Sequence, residues 1–520
     1  MTRLLALVIL LAPASARATG FTDIGDDIRD RVDFAVELHG LMRFRAELLH
    51  NLDLDRGPTP SGRPLFPVPL GDPGGQTLTH ADMRLRSDVA FYAPGGAVAV
   101  KLRLDFLDNL ALGSLPEGTP SVTTTQRSPD APIHVERAYG EVLTPVGLLA
   151  AGRMGSHWGL GMLANGGDCA DCDSGDSADR VAFLTPVAGH VWAVAYDFSS
   201  TGPFVDRRAP GRVVSLDPAD DVHGLTLAVL DFRTDGARER RRRAGRTTIE
   251  YGAYVAHRWQ DRDVPASYLS VAHDVALSPA QSVARGFTAT AFDVWGRLTF
   301  PGARIELEAA VLVAGIDQAS LIPGVRLRDP VESLQWGAVL ESAFGDPTAP
   351  FGAGIDAGIA SGDPAPGFGA FPGALDASPQ PGDLDGPQAT PGRDDRVDNF
   401  RFHPDYRVDR ILFREIIGTV TDAVYVRPHA RLAVWRHPTG ELAAQLAAIA
   451  SFAVEPASAP GGERPLGVEL DPTLVYRSHD GFHVALEYAV LFPLGGLENP
   501  PLGLSPKPAQ LLRARLGFVY

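Results

Sequence analysis

Lysine is almost missing from this 520-residue chain: Lys101 and Lys507 are the only two, and every other basic side chain is arginine. That bias assigns no chemistry. Basic residues as a class are also scarce, 47 against 63 acidic for a net charge of −16, so the electropositive footprint of a nucleic-acid-binding protein is absent. Cysteine is confined to Cys169 and Cys172, with no second C-x-x-C and no nearby His pair to complete a tetrahedral zinc site. There is no G-x-S-x-G elbow, no H-E-x-x-H and no phosphate loop G-x-x-x-x-G-K, and the fourteen histidines, among them His157, His257, His403 and His483, lack metal-ligand spacing. No enzyme is expected. Apolar residues make up 45%, while 55 Gly and 43 Pro are too few for a disordered or collagen-like polymer.

Long apolar runs are missing too, with one short exception at the start. Arg3 precedes Leu4 to Leu11, and Ala16-Arg17-Ala18 offers a small-x-small cleavage site, the pattern of a secretory signal peptide over residues 1–18. The run falls short of the ~20 residues of a membrane helix, and no Cys follows it to carry a lipid. Residues 19–520 are then either soluble outside the cytoplasm or a membrane β-barrel, the remaining structure that pairs every backbone group in lipid.

What the sequence has in abundance is alternation. From Asp82 to Tyr92 one face carries Met83, Leu85, Val89 and Phe91 and the other Asp82, Arg84, Arg86 and Asp88. After Ala93-Pro94-Gly95-Gly96 the period of two resumes, Val98, Val100, Leu102, Leu104 and Phe106 opposing Lys101, Arg103 and Asp105. Phe34 to Leu48 repeats it, with Glu37, His39, Arg43, Arg45 and Glu47 on the polar face. So does the hairpin across Pro301-Gly302, with Arg304, Glu306 and Glu308 opposing Ile305, Leu307, Val311 and Val313, and so does Phe482 to Val490 with Glu487. These runs exceed the five or six residues usual in soluble sandwiches.

Short turns near Ala93 to Gly96, Thr144 to Val146, Pro186 to Gly189, Phe300 to Gly302, His437 to Gly440 and His479 to Gly481 alternate with long polar connections, the longest from Gly362 to Val420. The fold expected is all-β: a single transmembrane antiparallel β-barrel of about eighteen strands, with short periplasmic turns and long extracellular loops. Both termini fall on the short-turn side. The final strand alternates Leu512, Ala514, Leu516, Phe518 and Tyr520 against Arg513 and Arg515 and ends on an aromatic. It resembles the C-terminal strand by which outer-membrane proteins are recognised by the barrel assembly machinery. If lipid takes the apolar faces, Arg43, Arg45, Arg84, Arg86, Lys101, Arg103, Asp105, Arg304, Glu306, Glu308, Glu487, Arg513 and Arg515 line the lumen. Both signs occur, so ion selectivity stays open.

Cys169-Ala170-Asp171-Cys172 reads as a local disulfide in an oxidising compartment rather than a redox dithiol. Around it Asp168, Asp171, Asp173, Asp176 and Asp179 lie among Gly166, Gly167 and Gly175, a donor set of the kind Ca²⁺ takes, though the order departs from an EF-hand loop; a solvated acidic loop is the alternative. Gly362 to Asp398 is dense in Pro, Gly, Asp and Ala and is either a gate folded into the pore or an exterior loop. The basic run Arg238 to Arg243 falls on the short-turn side and reads as a solvated charge run.

Tyr139-Gly140-Glu141-Val142-Leu143, Gly152-Arg153-Met154, Trp158-Gly159-Leu160-Gly161, Asp168 to Arg180, Ala360-Ser361-Gly362-Asp363, Asp405-Tyr406, Ile411-Leu412-Phe413-Arg414 and Gly467-Val468-Glu469-Leu470 together resemble an uncharacterised family of outer-membrane barrels of myxobacteria and their relatives. Ile411 to Pro428 also resembles polysaccharide-export porins. The resemblance implies a barrel in the bacterial outer membrane and transfers no functional residue. The expected function is a porin-like channel for small hydrophilic solutes, in import or export; the other reading is a closed barrel whose exterior loops bind a partner or surface polymer.

Overall fold

A computed structural model describes residues 21, 24–25, 32–71, 76–113, 115–116, 126–127, 133–199, 220–263, 282–320, 329–346, 348–371, 378–386, 388–389 and 394–520. The expected signal segment, residues 1–18, lies outside them. Where apolar and polar residues alternate, the chain forms strands of nine to eighteen residues, since only an extended backbone sends alternate side chains to opposite faces. In order they are β1 (Ala35–His50), β2 (Thr77–Tyr92), β3 (Val98–Ala111), β4 (His134–Thr144), β5 (Gly147–Gly155) and β6 (Ser177–Val187). Then follow β7 (His190–Ser199), β8 (Val222–Asp231), β9 (Thr248–Asp263), β10 (Val283–Phe300), β11 (Ala303–Ile316) and β12 (Val331–Phe344). The last six are β13 (Phe351–Ala360), β14 (Ala423–His437), β15 (Gly440–Ala453), β16 (Pro465–Ser478), β17 (Phe482–Pro493) and β18 (Ala509–Val519).

Each strand pairs antiparallel with the next, and β18 pairs with β1, Val519 opposite Leu41 and Arg513 opposite Glu47. This seam closes an 18-stranded barrel and leaves no open edge to recruit another chain. Tyr520 finishes it, its N–H donating to the Gly40 carbonyl at 3.1 Å and its own carbonyl accepting from the Gly40 N–H at 3.0 Å. Both ends of the wall, the start of β1 and the end of β18, therefore sit on the side of the short turns.

The register fixes which face is which. Arg86 pairs opposite Asp105 and Asp88 opposite Arg103, and these point inward; Val89 opposite Leu102 points outward. Leu307, Val311 and Leu486 are exposed on the exterior, as the alternation requires. At the short-turn end the exterior carries Phe34, Trp192, Tyr251, Phe300, Phe351, Trp435 and Phe518, and toward the other end Phe198, Trp336, Phe452 and Phe492, all exposed. Two aromatic girdles with aliphatic side chains between them are the exterior of a barrel built for a bilayer.

One short-side connection is not a turn. Residues Asp235–Arg243 form a helix, capped by the Thr234 hydroxyl on the Ala237 N–H, with Asp235 in its first turn and arginines in its last. Helix dipole and side-chain charge agree there. Arg238 reaches in to Glu250 at 2.9 Å and Arg242 across to Asp346 at 2.6 Å, while Arg240, Arg241 and Arg243 are exposed, so the solvated run takes the form of a surface helix.

Candidate functional site: the lumen and the loops inside it

The inner wall is divided. Arg43, Arg45, Arg84, Arg86, Lys101, Arg103 and Asp105 on β1 to β3, Arg304, Glu306 and Glu308 on β11, Glu487 on β17, and Arg513 and Arg515 on β18 all lie on inward-facing positions. Many are paired along the wall, Arg86 with Asp105 at 2.6 Å, Lys101 with Glu141 at 3.0 Å, Arg304 with Glu341 at 3.1 Å and Arg515 with Glu487 at 3.1 Å. Cross-strand ion pairing of this kind knits a wall that faces no lipid.

The lumen is not left open between these walls. Residues 156–176, joining β5 to β6, turn inward, and the Cys169–Cys172 disulfide closes the tip. The turn is gripped by arginine. Arg43 and Arg84 both donate to the Cys172 carbonyl, at 2.9 and 2.8 Å, and Arg86 donates to the Gly167 carbonyl at 2.5 Å. Asp168 is held by Arg103 and, at 3.0 Å, by Arg137. Asp171 faces Arg515 at 3.1 Å, Arg45 at 3.5 Å, Arg513 at 3.9 Å and Arg414. Asp173 faces Arg45 at 2.9 Å, Arg43 at 3.1 Å and Arg407 at 2.8 Å. Gly167, at φ 70°, lets this turn double back, because a Cβ there would meet the Ser174 carbonyl.

Burial alone pushes the Asp171 carboxyl upward, but Arg414, Arg515 and Arg513 overcome it and hold the group well below the usual carboxylate range. Asp173 is lowered by the same contest between burial and arginine, here Arg45, Arg414 and Arg407. Asp176 accepts the Asn165 N–H at 3.2 Å and lies 3.5 Å from His403. The four carboxylates expected to suit calcium therefore do not converge on one point, and three of them are engaged with guanidinium groups. The residues do not fit a dication, which needs oxygens converging on a space free of other cations. Nor is the segment a solvated acidic loop.

Described residues of the connection from β13 to β14, among them 400–420, also turn inward. Ile411, Leu412, Phe413, Ile416 and Ile417 pack with Tyr425, Ile449, Leu491 and Leu511 of the wall into a buried cluster, and Phe368, Ala370 and Leu384 earlier in the same connection are buried with them. Among the described residues of Gly362 to Asp398, Phe368, Ala370 and Leu384 are buried in that cluster, and Asp383 accepts the Ser61 N–H at 3.0 Å in the long connection between β1 and β2, so the stretch packs among the long connections at that end of the barrel. The two connections also hold each other. Asp405 accepts the N–H groups of Asp173 and Ser174 at 2.8 and 2.9 Å, and the His403 N–H donates to the Met162 carbonyl at 2.7 Å. The space left beside Tyr406, Phe413 and Arg414 is ≈ 10 Å³, no more than one water. A larger hollow of ≈ 600 Å³ lies at the rim beside Leu225, His257, Trp259 and Thr288, outward-facing positions away from the lumen charges.

Each inward connection is moored by one wall glutamate. Glu308 accepts the N–H groups of Leu160, Met162 and Leu163, the latter two at 3.2 Å, and Gly159, at φ 55°, leaves room for that carboxylate where a Cβ would collide. Glu469 accepts from Arg410 and Ile411 at 2.9 Å and from Leu412 at 3.0 Å. The inward phase of both glutamates was readable from alternation. Their role was not, and neither was that of Arg407, Arg414 and Asp405, nor that of Asp409, which accepts the Phe413 N–H at 3.0 Å. The one sequence signal was the recurrence of arginine at three- and four-residue spacing around the apolar Ile411 to Phe413, unusual in a loop.

No protein-family model matches the sequence, and neither does any curated protein. Among solved structures, the outer membrane protein OpdK of Pseudomonas aeruginosa is 9% identical with a TM-score of 0.45, covering 94% of this chain and 98% of its own. OccK9 (OpdG) of the same organism is 11% identical at a TM-score of 0.47, over 94% and 99%. OmpT, an outer membrane protein of Vibrio cholerae, is 10% identical at 0.34, over 95% and 100%.

Proposed function

We propose that the protein is an outer-membrane channel for small hydrophilic solutes of a Gram-negative bacterium, seen here in a shut state. The observation that carries this reading is how the barrel is filled. Eighteen strands enclose enough width for an aqueous path. The 156–176 connection is held on the β1 to β3 and β18 side by ion pairs and carbonyl contacts to arginine, and the second connection meets β18 through Glu415 and Arg513 at 3.1 Å. A filling joined to its wall by polar contacts can be exchanged for water and solute, which replace those contacts. The exterior band and the aromatic terminal strand support an outer-membrane location and insertion by the barrel assembly machinery, with membrane lipids against the outer face.

A second reading has its own observation. Ile411, Leu412, Phe413, Ile416 and Ile417 are at most 2% exposed, and a cluster that dry favours a permanently closed barrel whose exterior loops bind a partner or surface polymer. Single-channel recording separates the two. The channel reading expects intermittent conductance from the intact protein, and sustained conductance when residues 157–176 are replaced by a short Gly-Ser linker. A silent intact protein together with a silent loop-replaced one, both folded, would establish the closed barrel.

A further inference from the structure

The charged side of the lumen has an opposite. On β5 to β8 the inward positions carry Ala150, Met154, Ala182, Ala195, Ala228 and Leu230, which are buried. Alternation has placed apolar side chains on both faces of these strands, with Arg180, Asp197 and Thr226 the polar exceptions on the inner one. A wet lumen would leave such a strip against water. It is covered instead by Phe21 and Ile24, which are 5% and 8% exposed, and by Trp158 of the 156–176 connection at 5%, all in the same cluster as these side chains.

The seat has a defined chemistry. Above the Phe21 ring lies the Arg180 guanidinium, 5.8 Å from the ring centroid. Its fork is already taken by Asp197, at 2.8 and 2.9 Å, so it presents a flat, charge-compensated face rather than free donors. An anion would find Asp197 in its place. The segment's backbone is moored separately, the Gly25 N–H donating to Glu141 at 3.1 Å.

We infer that this strip is a binding site for an uncharged aromatic or branched aliphatic group, and that Phe21 with Ile24 is its occupant in the shut state. On the channel reading, to which this inference adds a solute class, the segment must leave before a solute carrying such a group passes. Small side chains at four of the six positions leave depth for a ring, and the guanidinium face selects it.

The test uses the full-length protein carrying Ala195→Cys, whose two native cysteines are bonded to each other and do not react. With Phe21 in place, a small water-soluble maleimide should label position 195 slowly; adding Phe21→Ser and Ile24→Ser should speed labelling at least tenfold. Benzyl alcohol should then protect position 195 in that variant, and glycerol at the same concentration should not. Equal labelling with and without the two serines overturns the assignment of the occupant. Fast labelling that benzyl alcohol does not slow overturns the ligand class. Heat-modifiable migration on a denaturing gel confirms that each variant is folded. Because labelling needs no ion flow, a protein that shows protection yet never conducts would keep the site and overturn the channel reading alone.

Discussion

Replacing Asp171 by Asn should unlatch the 156–176 connection. The carboxylate lies among Arg45, Arg414, Arg513 and Arg515, and removing one partner of a buried ion pair typically costs about 3–5 kcal/mol, because the remaining charge is left uncompensated. Here the low end applies. Arg515 keeps Glu487 at 3.1 Å, Arg513 keeps Glu47 at 2.5 Å and Glu415 at 3.1 Å, and Arg414 keeps Asp173 and Glu415. A penalty of about 3 kcal/mol is roughly a hundredfold shift in the ratio of open to shut. Planar-bilayer recording of the refolded protein should therefore show an open probability raised by about two decades, or saturated if the intact barrel already opens more than about one part in a hundred. Asp171→Glu, which keeps the charge, should stay close to the parent. An unchanged open probability in a correctly folded Asp171→Asn barrel would refute the latch.

Glu308→Gln should loosen the same connection from its other end, because Glu308 accepts through both oxygens and Gln keeps one acceptor and turns an NH2 donor toward the remaining N–H; about 2 kcal/mol, or some thirtyfold in open probability, is expected from the recording. Glu469→Gln should act likewise on the second connection, and a double-mutant cycle of the two should show a coupling energy of about 0.5–3 kcal/mol, because the connections grip each other through Asp405 and His403. Gly159→Ala should mimic Glu308→Gln with the carboxylate intact, read as increased protease cleavage within residues 157–176. Burial pushes Asp422, which accepts from the Glu455 N–H and the Ser458 hydroxyl, up to about 7. A raised carboxyl contributes stability that is complete below its unfolded value near 4 and is lost as pH rises toward 7, up to about 4 kcal/mol in all. The thermal midpoint should therefore fall between pH 4 and 7, and Asp422→Asn should flatten that slope.

The wall was legible because lipid and period two leave little choice. Once Leu307 must face a bilayer, Glu306 and Glu308 have one direction left, and the same reasoning places Arg84, Arg103 and Arg513. The filling was not legible, since a connection has no period to read. Asp171 looks the same in a sequence whether solvent, calcium or four arginines surround it, and those arginines come from β1, β18 and a connection some 240 residues away. Gly362 to Asp398 stayed open for a related reason. Its few apolar side chains cannot build a core by themselves, and whether they borrow one depends on a wall formed by Tyr425, Ile449 and Leu491.

An inward-facing charge is ambiguous until its partner is known, and this is where the function turns. A lumen lined by arginine that carried water would be read as a selectivity wall; the same arginines bound to Cys172, Gly167, Asp168 and Asp173 form a lock. On the channel reading the two descriptions are states of one surface. Every guanidinium contact that holds the 156–176 connection is one that a departing connection would hand to the solvent or to a passing solute. Tightness of closure and attraction for what comes through are then set by the same side chains, so any substitution of the wall arginines should move both together, whereas substitutions confined to Asp168, Asp171 and Asp173 should change closure and leave the open channel's wall as it was.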